Sequence, residues 1–382
     1  MDFNFTEEQL ALEDTISRFI NKDYAFEARR KLVASEEAYD RNAWNTYAEL
    51  GILALPFHED LGGLNGTPLD TYLVMKALAP GLILEPYVST VVLSGGLINA
   101  LGTAEQKETL IAGIADGSVT YAFGHYEPDF RYLEKMVSTS ATKSANGWVL
   151  SGQKAMAIDA PSASQLLVSA RTSGATGDEE GISVFLLDPA TPGVTLKTYK
   201  THDGHYAADI VLDNAEVPAS ALLGEEGKAL PAIMDAIAQT NVALCAELVG
   251  LIKALNDATL EYLKTRKQFG VAIGTFQALQ HRMADMAIAA EQANSMALLA
   301  AIEMQNKSLQ HRIFKASGAK AYISKLARKV SQEAVQMHGG MGVTDELNVA
   351  HFFKRVNLIN TMFGDHDFHM QRYSDMLDVP LN

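Results

Sequence analysis

The chain has 382 residues, 48% of them hydrophobic, with a formal charge of −15 and a single cysteine, Cys245. That length calls for two or three packed units, and the acidic balance excludes nucleic acid and anionic membrane as ordinary partners. A lone cysteine excludes an intramolecular disulfide framework and fits a reducing, cytoplasmic setting, where it reads as a small buried hydrophobe.

In chain order, Thr6-Glu7-Glu8-Gln9 reads as a capping box opening a helix whose apolar face is Leu12, Ile16, Phe19 and Ile20. No basic segment precedes an apolar core at the N-terminus. The apolar run from Leu73 to Leu101 is broken by Lys76, Pro80, Glu85 and Pro86, so neither secretion nor membrane spanning is expected. Helical register continues to about Gly117, punctuated by a loop from Pro56 to Gly66. From Ser118 the period changes to that of strands. Ser138 to Lys143 and Trp148 to Ser151 flank Asn146-Gly147, a hairpin signal in which both turn residues would take positive φ. Further strands are expected over Gln165 to Ala170, Ile182 to Leu187, Val194 to Tyr199 and Ile210 to Leu212, with a solvated turn between Arg171 and Gly181.

After Val217-Pro218 the sequence is helical again, and breaks at Gly270, Asn306 and Gly339 divide it into about four helices. Leu244, Leu248, Leu251, Leu255 and Tyr262 recur at helical spacing up to Arg266, and Phe276, Leu279, Met283 and Met286 resume it. Periodicity leaves Arg266 and Gln277 at the bend unexplained. A guanidinium suits bidentate contact with phosphate and an amide suits a purine edge or ribose, which points to a nucleotide cofactor. A surface ion pair with a helix cap is the other account of the same residues.

Arg266-Lys267-Gln268-Phe269-Gly270 and Gln336-Met337-His338-Gly339-Gly340-Met341-Gly342 are specific motifs. Gly102 to Lys107, Tyr126-Glu127-Pro128, Gly152-Gln153-Lys154 and Glu216-Val217-Pro218 accompany them. With these segments the chain resembles the acyl-CoA dehydrogenase family over essentially its whole length. The resemblance implies an α+β, mostly α architecture: an N-terminal helical domain (1–117), a central barrel-like β-sheet domain (118–225) and a C-terminal four-helix bundle (226–382). It also implies FAD, which in that family accepts a hydride while a carboxylate removes the α-proton of an acyl-CoA thioester. Carried onto matching positions, Arg266 contacts the FAD pyrophosphate, Phe269 packs on the cofactor and Gln277 reaches its adenine end. Gln336, Gly339 and Gly340 form the loop along the diphosphate, where a chain without Cβ lets backbone N–H groups approach closely.

The pattern departs from the family where the base should stand. An aromatic-Glu-Gly-Thr step is replaced by Phe363-Gly364-Asp365-His366, which puts Gly364 at the base position. The other branch of the family takes its base from the preceding long helix, and that spacing lands on Thr240. The nearest carboxylates are Asp365 and, about 10 Å along the helix from Thr240, Glu247. Tyr126 replaces the family's Thr, Asp129 to Glu134 contains no Gly-Ser-Asp turn, and Met156 stands nearest to where a flavin-stacking Trp is usual. In the family the flavin lies at a subunit interface. The half donated to a neighbour is kept here and the receiving half is degraded.

The pattern is similar to the small subunit of pimeloyl-CoA dehydrogenases and of the paired enzymes of steroid side-chain degradation. It implies a heterotetramer with a second, catalytic dehydrogenase-like subunit, acting in fatty acid or steroid side-chain β-oxidation and passing electrons to an electron-transfer flavoprotein. The alternatives are a self-sufficient homo-oligomer with Asp365 or Glu247 as relocated base, and a non-catalytic acyl-CoA-binding or assembly subunit. No metal site is expected, because in Asp365-His366-Asp367-Phe368-His369 only subsets such as Asp365 with His369 share a helix face.

Overall fold

The computed structural model describes residues 5–378. Among these residues six α-helices come first: α1 (Glu7–Asp23), α2 (Phe26–Ala34), α3 (Arg41–Glu49), α4 (Pro68–Leu78), α5 (Gly95–Leu101) and α6 (Ala104–Ala115). The capping box at Thr6 forms as the sequence suggests, with Thr6 and Gln9 exchanging bonds at 3.0 and 3.2 Å. Thr103 and Gln106 build a second one that opens α6.

Seven strands follow: β1 (Tyr121–Gly124), β2 (Ser140–Lys143), β3 (Gly147–Ile158), β4 (Gln165–Arg171), β5 (Ile182–Leu187), β6 (Val194–Lys200) and β7 (Tyr206–Pro218). They form one curled sheet in the order β1-β4-β2-β3-β7-β6, with β5 on β4. Most neighbours are antiparallel, but β4 runs parallel to β1 and to the end of β2. Trp148, Leu150, Leu166, Val168, Phe185, Ile210 and Leu212 fill its core, with Trp148 edge-on to Phe185 at 5.3 Å.

The expected hairpin is present, but its turn is shifted by one residue. Ser144 N–H donates to the Gly147 carbonyl at 2.9 Å, so Ala145-Asn146 make the turn and Gly147 is already in the strand. Its glycine serves the neighbouring strand: a Cβ at Gly147 would lie 2.2 Å from the Val217 carbonyl.

Beyond the sheet come α7 (Leu230–Thr265), a two-stranded ribbon of β8 (Lys267–Gln268) and β9 (Val271–Ala272), α8 (Gln277–Glu303), α9 (Leu309–His338), α10 (Asn348–Ile359) and α11 (His366–Asp375). The last expected helix is two helices, because Phe363 and Gly364 adopt φ of 53° and 121° and break the register. Beyond the apolar run at 73–101, α7 also has the length and hydropathy of a membrane span. Its apolar window, however, is 78% buried within the protein.

The fold is thus helical, then sheet, then helical. The backbone gathers into two compact units, one of residues up to 31, 68–83 and 241 onward, the other of 32–67 and 84–240. In the first, Tyr72 of α4 donates to Asn294 of α8 at 2.5 Å, and Lys76 pairs with Glu13 of α1 at 2.8 Å.

Candidate functional site

α7 ends at Thr265, and the next residues turn back as the β8–β9 ribbon, with Lys267 opposite Ala272 and Gln268 opposite Val271. Phe269 and Gly270 are the two turn residues, at φ 52° and 82°. Such a turn favours Asn or Gly, and an aromatic side chain held left-handed is strained. Phe269 is also 93% exposed, with Phe276 its one ring neighbour among the described residues, edge-on at 6.2 Å. A strained, solvent-facing Phe that packs on little of its own chain marks a contact surface rather than a core position. Arg266 stands at the base of this ribbon. Its backbone is tied to Tyr262 and Ile273, while its exposed guanidinium has no hydrogen-bond or ion-pair partner among the described residues. Gln277, also exposed, is the first residue of α8.

The second motif ends α9. His338 is buried and stacks on Tyr262 with ring centroids 4.4 Å apart, and Tyr262 Oη donates to the His338 carbonyl at 3.3 Å. Tyr262 lies one turn before Arg266 and His338 directly before Gly339, so this contact joins two loops more than seventy residues apart. Burial lowers the His338 pKa, outweighing the opposing effect of the hydrogen bond that its Nδ1–H donates to the Ala334 carbonyl at 2.8 Å. Gln336, Gly339 and Gly340 are exposed, and around both glycines the Cβ positions are open. Val271, Phe276, Met341 and Val343 on the same loops are exposed as well.

The base position is closed. A Cβ at Gly364 would lie 2.4 Å from His369 Nε2 and 2.7 Å from Phe368 Cδ1. His369 is buried, donates through Nε2 to the Phe363 carbonyl at 3.1 Å and meets Ser317 Oγ through Nδ1 at 3.3 Å. Burial, followed by the charges of Lys320 and Arg372, holds its pKa well below the ordinary value. Asn241 also donates to the Phe363 carbonyl, at 3.4 Å. Beneath them the fully buried Lys320 donates to the Ile359 and Met362 carbonyls at 2.9 Å each and to Asn241 Oδ1 at 3.3 Å. Burial pulls its pKa down to about 8.

The two alternative carboxylates are both engaged. Asp365 caps α11, its Oδ1 accepting from Phe368 N–H at 2.9 Å. Glu247 is buried and held by Arg355 at 2.5 and 2.9 Å. Thr240 donates to the Ala236 carbonyl at 2.7 Å. Among the described residues no three His, Cys, Asp or Glu side chains cluster as a metal site.

In the sheet unit, the Tyr126-Glu127-Pro128 and Gly152-Gln153-Lys154 segments meet through a buried ion pair, Lys154 Nζ to Glu127 Oε1 at 2.7 Å. Burial alone would raise the Glu127 pKa. The Lys154 charge, with donors from Lys154, Ser138 and Thr139, brings it down to about 2. The pair therefore builds structure. Met156 sits at a bulge with φ 52°, is 40% exposed, and donates its N–H to Asp209 at 3.0 Å.

Sequence reasoning missed the Lys320–Asn241–His369 network under the glycine. The available signal was Lys320 itself, which occupies a core position of α9 in register with Ala316, Ile323 and Ala327.

Three domain families match the chain: acyl-CoA dehydrogenase N-terminal domain over residues 6–118, middle domain over 122–215 and C-terminal domain over 227–376. A probable acyl-CoA dehydrogenase of Bacillus subtilis is 29% identical, covering 94% of this chain and 95% of its own. Benzylmalonyl-CoA dehydrogenase of Aromatoleum aromaticum is 30% identical, covering 95% and 96%. The solved structure of butyryl-CoA dehydrogenase from Megasphaera elsdenii superposes with a TM-score of 0.90 at 28% identity, covering 99% of this chain and 100% of that one.

Proposed function

The chain belongs to the acyl-CoA dehydrogenase family of flavoprotein oxidoreductases, and from that premise we propose that it is the small, non-base-bearing subunit of a heteromeric FAD-dependent acyl-CoA dehydrogenase. In this reading Arg266, Phe269, Gln277, Gln336, Gly339 and Gly340 complete a flavin site housed in a catalytic partner. The single observation that carries it is the contrast between two places in the helical unit: an exposed Arg266–Phe269 surface, whose guanidinium has no partner among the described residues, and a base position at Gly364 where a Cβ would strike His369 and Phe368.

The residues present fit one side of an FAD site. The free Arg266 guanidinium suits a pyrophosphate, and open backbone at Gly339 and Gly340 lets N–H groups approach phosphate oxygens. Phe269 offers a ring face and Gln277 an amide. FAD, when bound, supplies the two-electron acceptor for the desaturation. This chain's own receiving side does not offer a matching fit, since Tyr126 and Met156 stand where the family uses Thr and a flavin-stacking Trp, and no carboxylate is poised at residue 364.

In this reading residues 1–117, 118–225 and 226–382 act as the three domains. The substrate is an acyl-CoA held by the partner, and electrons leave to an electron-transfer flavoprotein. A self-sufficient enzyme using Glu247 is disfavoured by the two hydrogen bonds from Arg355 that engage both its oxygens, and Asp365 already spends Oδ1 capping α11. The test is the visible spectrum of the purified chain alone and after assembly with a second dehydrogenase-like subunit. Flavin content and acyl-CoA oxidation should arise only in the assembly. Stoichiometric flavin with turnover by the isolated chain would sink the proposal.

A further inference from the structure

An α-helix leaves its last carbonyls without partners inside the helix. At the end of α9 one of them, the His338 carbonyl, is met by a side chain from another helix: Tyr262 Oη of α7 donates to it at 3.3 Å. The amide on the other side of the same peptide is also held, because Gly339 N–H donates to the Gln336 carbonyl. With its carbonyl and its N–H both tied, the planar His338–Gly339 unit has little freedom to rotate. Gly339 then takes φ 61° and ψ −143°, so the chain changes direction there and the path of Gly340 follows from the plane before it.

The same tyrosine carries the other loop. Its own carbonyl accepts from Arg266 N–H at 2.8 Å, and the Arg266 carbonyl accepts from Ile273 N–H at 2.9 Å, beyond the β8–β9 ribbon. Gly274 closes against this last turn of α7, where a Cβ would lie 2.8 Å from the Leu263 carbonyl. The ribbon is therefore hung on residues 262–266, one turn of helix that also reaches the glycine loop. The Tyr262 ring stacks on His338 with centroids 4.4 Å apart and planes 28° from parallel, which adds a packed contact to the bond made by the hydroxyl. Packing accounts for the ring. It does not account for the hydroxyl, since phenylalanine would fill the same space without reaching a backbone carbonyl.

We propose that Tyr262 is a positioning residue that sets the Gly339–Gly340 backbone against the Arg266 ribbon, so that the two loops meet the cofactor as a single unit; this rests on the reading of those loops as flavin contacts. Tyr262 acts through the backbone of both loops without touching the cofactor. Removing the hydroxyl frees the His338 carbonyl, the glycine segment then takes a wider range of paths, and that segment must be ordered when the cofactor binds. The loss is largest while Arg266 fixes the phosphate. It shrinks once Arg266 is replaced, because a phosphate that is no longer anchored can follow the glycines, and two residues acting on one contact are not additive.

The test uses Tyr262→Phe, which keeps the ring and deletes the hydroxyl. In the isolated full chain carrying isotope-labelled glycine, the amide resonances of Gly339 and Gly340 should shift, while that of Gly62, in the other compact unit, stays in place. So conservative a change leaves the chain folded, and melting curves check this. In the assembled enzyme Tyr262→Phe alone should speed flavin loss about three- to tenfold, the range that one hydrogen bond supports. Added to Arg266→Gln it should speed the loss by less than about twofold. Unmoved Gly339 and Gly340 amides, or an equal effect of Tyr262→Phe with and without Arg266, would show that the tyrosine only packs; either result overturns the proposal and leaves the heteromer reading intact. Flavin held as tightly by the Arg266→Gln assembly as by wild type would instead remove both.

Discussion

Arg355 of α10 grips Glu247 of α7 through two hydrogen bonds, Nε to Oε1 at 2.5 Å and Nη2 to Oε2 at 2.9 Å, with both side chains about 5% exposed. A carboxylate held this way is desolvated and paired, and removing it leaves the guanidinium uncompensated in the interior. Glu247→Gln is therefore expected to lower stability by about 3–5 kcal/mol, whereas Glu247→Met with Arg355→Met should cost far less. Urea unfolding of the three proteins measures this. A base in the same place would behave differently: the Gln variant would keep its unfolding midpoint and lose turnover.

The vacated base position makes a second prediction. Gly364 has φ 121° and faces His369 and Phe368, so Gly364→Ala combines backbone strain with overpacking. The expected loss is about 2–5 kcal/mol. Adding His369→Ala should recover part of it by removing the ring that the new Cβ would strike, so the double variant should melt above the sum of the single effects. A Gly364→Glu variant that folds at full stability and gains acyl-CoA oxidation would show the position to be open.

Acid should loosen the sheet unit. Glu127, with its pKa lowered from 4.5 to about 2, stays ionised in the folded state while the unfolded chain takes up a proton. Its contribution is therefore present above pH 4.5 and is lost as pH falls toward 2. His125, buried and lowered from 6.5 to about 3 by burial first and Lys154 second, acts in the same sense from pH 6.5 downward. Both groups bind fewer protons folded than unfolded, so stability falls with falling pH in each window. Glu127→Gln should flatten the lower limb and His125→Gln the upper one, read from urea midpoints between pH 7 and 2.

Local signals made much of this fold legible, and tertiary contacts hid the rest. The Thr6 capping box and the strand Ile182–Leu187 are as the sequence implies, because side chains within three residues or strict apolar runs determine them. β7 was legible only at Ile210 to Leu212. Its flanks depend on Ala207, Ala208 and Ala215, which fit the sheet but carry little pattern. The Asn146-Gly147 turn is displaced because the glycine answers to Val217 on the neighbouring strand. At the candidate site, Gly364 could be read as a missing base. That His369 fills the space, or that Lys320 ties down the carbonyls beneath, depends on α9 and α11 packing that no local pattern encodes.

The Arg266–Phe269 surface gives the last prediction, and it separates folding from assembly. Arg266 has no partner to lose among the described residues, and Phe269 is 93% exposed, so Arg266→Gln and Phe269→Ser should each change the chain's own stability by less than about 0.5 kcal/mol. Phe269→Ser is the milder test, since a polar residue at φ 52° is no more strained than the aromatic it replaces. In the assembled enzyme the same changes strip a charge-assisted phosphate contact and an aromatic contact, so flavin retention should fall about tenfold or more for Arg266→Gln. Melting curves of the isolated chain and the flavin-to-protein absorbance ratio of the gel-filtered assembly give the two readouts. Equal flavin content in wild type and Arg266→Gln assemblies would remove Arg266 from the cofactor site. A large melting shift in the isolated chain would mean that the segment serves the chain's own fold rather than a partner.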